Sequence, residues 1–250
     1  MEYTFEKLND KISVCVSAEH TFGTDAFLLE KFAEVKRRET VCEFGTGCGI
    51  IAQLLFTDAN PKKVYAVDIQ EQAVRQLEIG VEKSGLCGKI IPICADLKDV
   101  SSVNSAPKKV MLDSQVDVVI CNPPYKRAES GIVSAASAEA VARHEVSCDI
   151  NDICQAAARV LKFGGRLCVC QRPERLADVI DAMRSCKIEP KRLRFAAKNE
   201  KSEPWLFMLE GRLGGAPFMR VMPSVFLSGK PNESSVLYGD CLRKENENDG

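Results

Sequence analysis

The chain is short of the residues that hold metals and staple secreted proteins. It has two histidines and one tryptophan, and none of its 12 cysteines falls in a Cys-x-x-Cys pair. The spacings that build zinc sites are therefore missing, and no metal is expected. The start, Met1-Glu2-Tyr3-Thr4-Phe5-Glu6, lacks a basic stretch followed by an apolar one, which excludes the usual secretory leader and with it a disulfide framework. No apolar run is long enough to span a bilayer. Charge of one sign is missing too: the formal net charge is -1. Global charge does not announce a nucleic-acid partner, although a local patch would suffice. These absences point to a reduced, cytoplasmic protein without membrane segments.

What is present is a core. Hydrophobic residues make up 45% of 250 positions, enough for one large domain. Cys42, Cys94, Cys121, Cys168 and Cys170 sit in apolar runs and read as small buried hydrophobes. From Thr40 onward strand and helix signals alternate. Val41 to Phe44, Val64 to Val67, Ile90 to Cys94, Val116 to Cys121 and Arg166 to Cys170 read as strands. Helical spacing of apolar residues follows at Ile50, Ile51, Leu54 and Leu55, at Val74, Leu77 and Val81, at Ile153 to Leu161, and at Leu176, Val179, Ile180 and Met183. Gly164-Gly165 is expected to stop the third of these helices, and Pro173 to open the fourth. Leu193 to Ala197 and Trp205 to Leu209 suggest a closing antiparallel pair. Residues 98–115 read as a polar loop, and 126–148 as a loop with a short helix near the substrate.

The alternation predicts an α/β fold, a mostly parallel Rossmann-like sheet with helices on both faces. Residues 1–229 are expected to form one domain. Its extension at 1–39 carries a strand at Ile12 to Val16 and a helix at Ala26 to Val35, and a polar tail follows at 230–250. Ligands of such sheets lie beyond the carboxyl ends of the strands. Gly45-Thr46-Gly47-Cys48-Gly49, Asp68, Asp96 and Asn122 each follow a strand there.

The glycine loop departs from the dinucleotide fingerprint because its third glycine comes one residue early. Glu43 precedes the loop by two residues. A carboxylate there repels a phosphate and suits an ammonium group, so the expected ligand is a nucleoside with an amino-acid end, S-adenosylmethionine. Asp68 can accept both ribose hydroxyls, and Asp96 the adenine amino group. The blander readings are a tight glycine turn and, for Asp96, a cap.

Val118-Val119-Ile120-Cys121 runs into Asn122-Pro123-Pro124-Tyr125. Two prolines end a strand in any case. They also fix a carbonyl. With the Asn122 side-chain oxygen and the Pro123 carbonyl as two acceptors, the pair can hold both protons of a planar, poorly nucleophilic nitrogen. Tyr125 offers a face on which a flat group can stack. Catalysis is then positioning and hydrogen bonding, without a strong base.

Together these stretches resemble the motif series of class I S-adenosylmethionine-dependent amino-methyltransferases. Phe22-Gly23-Thr24-Asp25-Ala26, Ala142-Arg143-His144-Glu145 and Arg172-Pro173-Glu174-Arg175-Leu176 are similar to segments of the bacterial tRNA1(Val) adenine-N6 methyltransferases. The family has Phe-Ser where this chain has Phe22-Gly23. The resemblance implies a seven-stranded sheet whose last strand is antiparallel. It implies tRNA as partner and the N6 amino group of adenine 37 of tRNA1Val as methyl acceptor. It makes Asn122, Pro123 and Tyr125 the catalytic group. Thr24, Glu43, Gly45, Thr46, Gly47, Gly49, Asp68, Ile69, Asp96 and Asn122 become the cofactor-binding set. Lys36-Arg37-Arg38 and the set Lys187, Lys191, Arg192, Arg194, Lys198 and Lys201 could meet phosphates or simply solvate a surface. His144 could touch the target or cap a helix. Three other functions compete: a release-factor glutamine-N5 methyltransferase, a DNA adenine methyltransferase, which usually needs a sizeable target-recognition region, and a non-catalytic cofactor-binding module.

Overall fold

The computed structural model describes residues 3–103, 105–123 and 148–227. Strands β1 (Thr4–Lys7) and β2 (Ser13–Val16) form an antiparallel hairpin ahead of helix α1 (Thr24–Ala33). There follow β3 (Thr40–Phe44), α2 (Ile50–Leu54), β4 (Lys63–Asp68), α3 (Glu71–Lys83) and β5 (Ile90–Cys94). Two short strands, β6 (Val100–Ser102) and β7 (Val110–Leu112), pair with each other, and β8 (Val116–Cys121) rejoins the main sheet. The rest is α4 (Ile150–Val160), β9 (Leu161–Gln171), α5 (Leu176–Ser185), β10 (Ile188–Ala197), β11 (Pro204–Leu213), β12 (Arg220–Val221) and β13 (Val225–Phe226).

The main sheet runs β12-β10-β11-β9-β8-β3-β4-β5, with β13 also on β10. Strands β9, β8, β3, β4 and β5 are parallel neighbours, and β11 lies antiparallel between β9 and β10. The expected antiparallel closure is there, and two short edge strands enlarge the sheet. The chain winds outward from β3 in one direction to β5 and then returns to β8 on its other side. The switch point therefore falls between β3 and β8.

Period-two alternation sorts the core into two layers. Val41, Val118 and Ile120 face α1, α2 and α3, where Leu29, Phe32, Ile51 and Leu77 meet them. Cys42, Phe44, Val119 and Cys121 face α4 and α5, where Ile153, Val160, Val179 and Met183 close the other side. Each layer removes its apolar side chains from water at roughly 25 cal/mol per Å². The N-terminal hairpin joins the first layer through polar clamps. Gln76 Nε2 donates to the carbonyls of Cys15 and His20, and the Ser84 hydroxyl accepts from Ser13 N at 3.0 Å.

Three expectations need correction. Residues 98–115 hold a 3-10 turn (Leu97–Asp99) and the β6–β7 pair, because Val100 and Leu112 bury apolar side chains between polar neighbours. Gly164-Gly165 does not stop a helix. Helix α4 ends at Val160, and the glycines lie inside β9, opposite the register shift between Val116 and Val118. A Cβ on Gly165 would come within 3.1 Å of Asp117 O, so that glycine permits close backbone approach. Cys94 is exposed, unlike Cys42, Cys121, Cys168 and Cys170. At the other end of α4, Asp149 and Asp152 make a reciprocal capping box, with Asp149 Oδ1 accepting from Asp152 N at 2.9 Å.

Candidate active site

Ladder register gathers the expected residues on one edge of the sheet. Phe44 pairs with Val67 on one side and Cys121 on the other, and Asp68 pairs with Cys94. The glycine loop, Asp68, Asp96 and Asn122 therefore leave the sheet at the same level from four adjacent strands.

The loop is built by backbone bonds to β4. Gly45 N and Thr46 N donate to Val67 O at 2.9 and 3.1 Å, and Gly49 N closes a turn on Thr46 O at 2.8 Å. Gly47 has φ +53°, and a Cβ there would meet no atom within 4 Å. The left-handed backbone excludes most side chains, and the open side leaves room for a ligand to approach. Gly49 has φ +78° and a different reason: a Cβ would lie 2.1 Å from Leu77 Cδ1. It lets α2 pack onto α3.

Glu43 lies beneath this loop at 2% exposure. Its Oε2 accepts from the Thr46 hydroxyl at 2.6 Å and from Ala52 N at 3.1 Å. Thr46 thus turns its side chain inward to Glu43. Burial pushes the Glu43 carboxyl up to about 8. Those two bonds act the other way, and the nearby Asp68 charge adds to the rise. A cation above the loop would favour the ionised form.

Asp68 closes β4 with both oxygens engaged: Oδ2 accepts from Gly47 N at 2.8 Å and Oδ1 from Gln70 N at 3.0 Å. A carboxylate has further lone pairs, so these bonds orient it without exhausting it. Ile69 beside it is 46% exposed, an apolar surface at the rim on which a base could lie. Asp96 caps the 3-10 turn, its Oδ1 accepting from Lys98 N at 2.9 Å. It remains half-exposed next to the same rim.

Asn122 and Pro123 leave β8 half-buried. Asn122 Nδ2 donates to Asp25 Oδ2 at 3.0 Å, and Asn122 Oδ1 accepts from Cys170 Sγ at 3.0 Å. This brings the first turn of α1, and with it Thr24, to the strand ends. The edge-to-face pair Phe22–Phe27, 5.9 Å between centroids, pins the segment leading into α1. The sequence offers Asp25 only as part of the Phe22–Ala26 motif and Cys170 only as a buried hydrophobe, and their bonds to Asn122 emerge only in the fold. No local pattern marks a contact across 97 positions. Pro124, Tyr125, the 126–147 portion of the expected loop and His144 lie outside the described residues.

The denser basic run is partly consumed by the fold. Lys191 Nζ donates to the carbonyls of Ala216, Pro217 and Phe218. Arg192 pairs with Glu34 and Glu210 at 2.7 Å each. Lys187, Lys198 and Lys201 are exposed. A separate cleft of about 480 Å³ lies near the opposite sheet edge. Charged residues lining it pair with one another, as in Arg166 with Glu39 and Lys162 with Asp117. It is remote from the glycine loop.

Residues 13–195 match the methyltransferase small domain family. The chain belongs to that family. It is 27% identical over 179 residues to a tRNA1(Val) (adenine(37)-N6)-methyltransferase of Tolumonas auensis, covering 68% of this chain and 70% of the relative. It is 26% identical over 168 residues to the protein of the same name from Histophilus somni, covering 66% and 65%. In fold it is similar to a predicted O-methyltransferase from Agrobacterium tumefaciens, with TM-score 0.61 and 14% identity over 84% of this chain and 90% of that one. The protein is a methyltransferase of class I architecture, and S-adenosylmethionine is its cofactor. The residues present fit that group: an open glycine cradle, a buried acid beneath it, and an acid with an exposed isoleucine at the rim. Among the described residues no helix is long and apolar enough to cross a membrane, and no cluster of three His, Cys, Asp or Glu could hold a metal.

Proposed function

We propose that the chain transfers a methyl group to the exocyclic N6 amino group of an adenine in tRNA, at adenine 37 of tRNA1Val. The observation that carries the reading is the placement of Asn122-Pro123 at the end of β8, in register with the glycine loop through the Phe44–Cys121 pair. The names of the two curated relatives supply the substrate. Gly45, Thr46, Gly47 and Gly49 cradle the amino-acid end of the cofactor, with Glu43 supplying negative charge from below. Asp68 takes the ribose, while Ile69 and Asp96 take the base, and Thr24 closes the site from α1.

Bound there, the cofactor supplies an electrophilic methyl group. An adenine N6 nitrogen delocalises its lone pair into the ring and is a poor nucleophile. Accepting its two protons at Asn122 Oδ1 and the Pro123 carbonyl draws density onto nitrogen and aims the lone pair at the methyl carbon. The nitrogen would form one bond to the methyl carbon as that carbon's bond to sulfur breaks, the electron pair staying on sulfur to leave the neutral thioether S-adenosylhomocysteine, and the nitrogen would release one proton to water. Preorganised acceptors of this kind are worth about a hundredfold or more in rate each. Tyr125 is proposed to stack on the base.

The test is incubation of the purified chain with labelled S-adenosylmethionine and two acceptors, unmodified tRNA and a release factor. Label recovered as N6-methyladenosine supports the reading. Label in a glutamine of the release factor overturns it in favour of the amide reaction, which needs the same two acceptors. Cofactor binding without transfer to either would overturn the tRNA assignment and point to a different methyl acceptor.

A further inference from the structure

Asn122 is held at both ends of its side chain by residues far away in sequence. Its nitrogen donates to Asp25 in the first turn of α1, and its oxygen accepts from Cys170, the penultimate residue of β9. A carboxamide is nearly symmetric in shape, and its two ends differ mainly in hydrogen bonding. Neither the strand end nor the following proline can tell them apart. Asp25 can. An ionised carboxylate accepts and does not donate, so a flipped Asn122 would set two acceptors face to face.

We infer that Asp25 is a positioning residue for methyl transfer: it holds the nitrogen end of Asn122 toward α1, so that the oxygen end meets the amine to be methylated. The inference rests on the amino-methyltransfer reading above. Orientation matters because the reaction needs an acceptor. An Asn122 turned the other way would present N–H donors to the N–H protons of the substrate. The bond to a carboxylate is charge-assisted and stronger than a neutral one, and it polarises the amide toward a more negative oxygen. That oxygen has two lone pairs. The Cys170 thiol donates to one of them.

The plainer role for Asp25 is to favour the N-terminus of α1, where an acid complements the helix dipole and Gly23 gives no side-chain cap. That role would show in melting temperature and leave turnover alone. The two roles separate in Asp25→Asn, which keeps shape and loses the obligate acceptor. The expected result is a kcat lowered by about 10- to 100-fold, with cofactor Kd and acceptor KM within about twofold. A partner exchange sharpens the test. Asn122→Asp alone sets two carboxylates together and should be nearly inactive. Adding Asp25→Asn restores one donor and one acceptor and should recover part of the lost turnover.

A readout independent of any acceptor is the side-chain NH2 signal of Asn122 in 15N spectra, assigned by its loss in Asn122→Ala. It should move on Asp25→Asn. An unchanged kcat in Asp25→Asn, or an unmoved amide signal, would overturn the inference. Were the wild-type chain inactive on tRNA, the RNA assignment would fall, and the amide signal would still decide whether Asp25 orients Asn122.

Discussion

Phe44 and Cys121 face each other in the parallel ladder between β3 and β8, so the glycine loop and the Asn-Pro step leave the sheet side by side. Cofactor cradle and acceptor pair are thus set by one stretch of rigid backbone at the switch point. Loops positioned this way carry function because the scaffold beneath them does not move.

Gly49→Ala tests the loop's packing. The new methyl would sit 2.1 Å from Leu77 Cδ1, in a backbone with φ +78°. Leu77 is fully buried and cannot swing away. Overpacking and left-handed strain together should cost about 2–4 kcal/mol. Urea denaturation should show a lower midpoint with an unchanged slope.

Glu43 gives the protein a pH signature. Its carboxyl rises from an ordinary 4.5 to about 8 on folding, chiefly through burial. Between those values the native state holds a proton that the unfolded state has lost, so stability falls as pH rises through that window and levels off above it. Below about 4.5 both states are protonated and the contribution is at its largest. Glu43→Gln should flatten this slope in thermal melts from about pH 5 to pH 9. If the cofactor's positive charge ionises Glu43, as proposed, wild-type affinity for S-adenosylmethionine should also rise with pH toward about 8, with proton release seen by calorimetry in two buffers. The Gln variant should show neither effect.

Glu210 ties the sheet to the end of α1. Its Oε2 takes Arg166 at 3.3 Å and Arg192 at 2.7 Å, and both guanidiniums also donate to α1 carbonyls, Ala33 and Phe32. The Glu210 side chain is only 5% exposed. Removing its charge takes one of two carboxylates from each of Arg166 and Arg192, which keep Glu39 and Glu34, and should cost about 1–3 kcal/mol. Glu210→Gln should lower the melting temperature and leave cofactor affinity unchanged, because the network lies away from the loop.

Ile69 is a large apolar side chain left at the rim. Ile69→Ala should weaken S-adenosylhomocysteine by about 1–2 kcal/mol if the base lies on it, with little effect on stability because the side chain is already half in water. Isothermal titration of the variant against wild type reads this directly.

Much of this arrangement was legible in the sequence because strand ends are punctuated by residues that cannot continue a strand. Gly45, Asp68, Asp96 and Asn122 mark four strand ends, and parallel register does the rest. Glu43 was legible as an acid near the loop. Its bonds to Thr46 and Ala52 depend on α2 folding back over β3, which spacing does not reveal. Gly164-Gly165 misled because a glycine pair stops a helix and bends a strand equally well. Only β8 alongside shows which. The β6–β7 pair was hidden by its length, since three residues are too few for alternation to stand out. The contact from Asp25 to Asn122 crosses 97 positions and has no local signature. Lys191 and Arg192 looked like surface charge until β11 and the 216–218 segment supplied their partners.

The most direct test of the account is single-turnover methyl transfer to tRNA by Asn122→Ala, with S-adenosylhomocysteine affinity measured on the same preparation. The account predicts cofactor affinity within about twofold of wild type and transfer reduced by about a hundredfold or more. Transfer at the wild-type rate, with the cofactor bound as before, would contradict it and move the acceptor pair away from the end of β8.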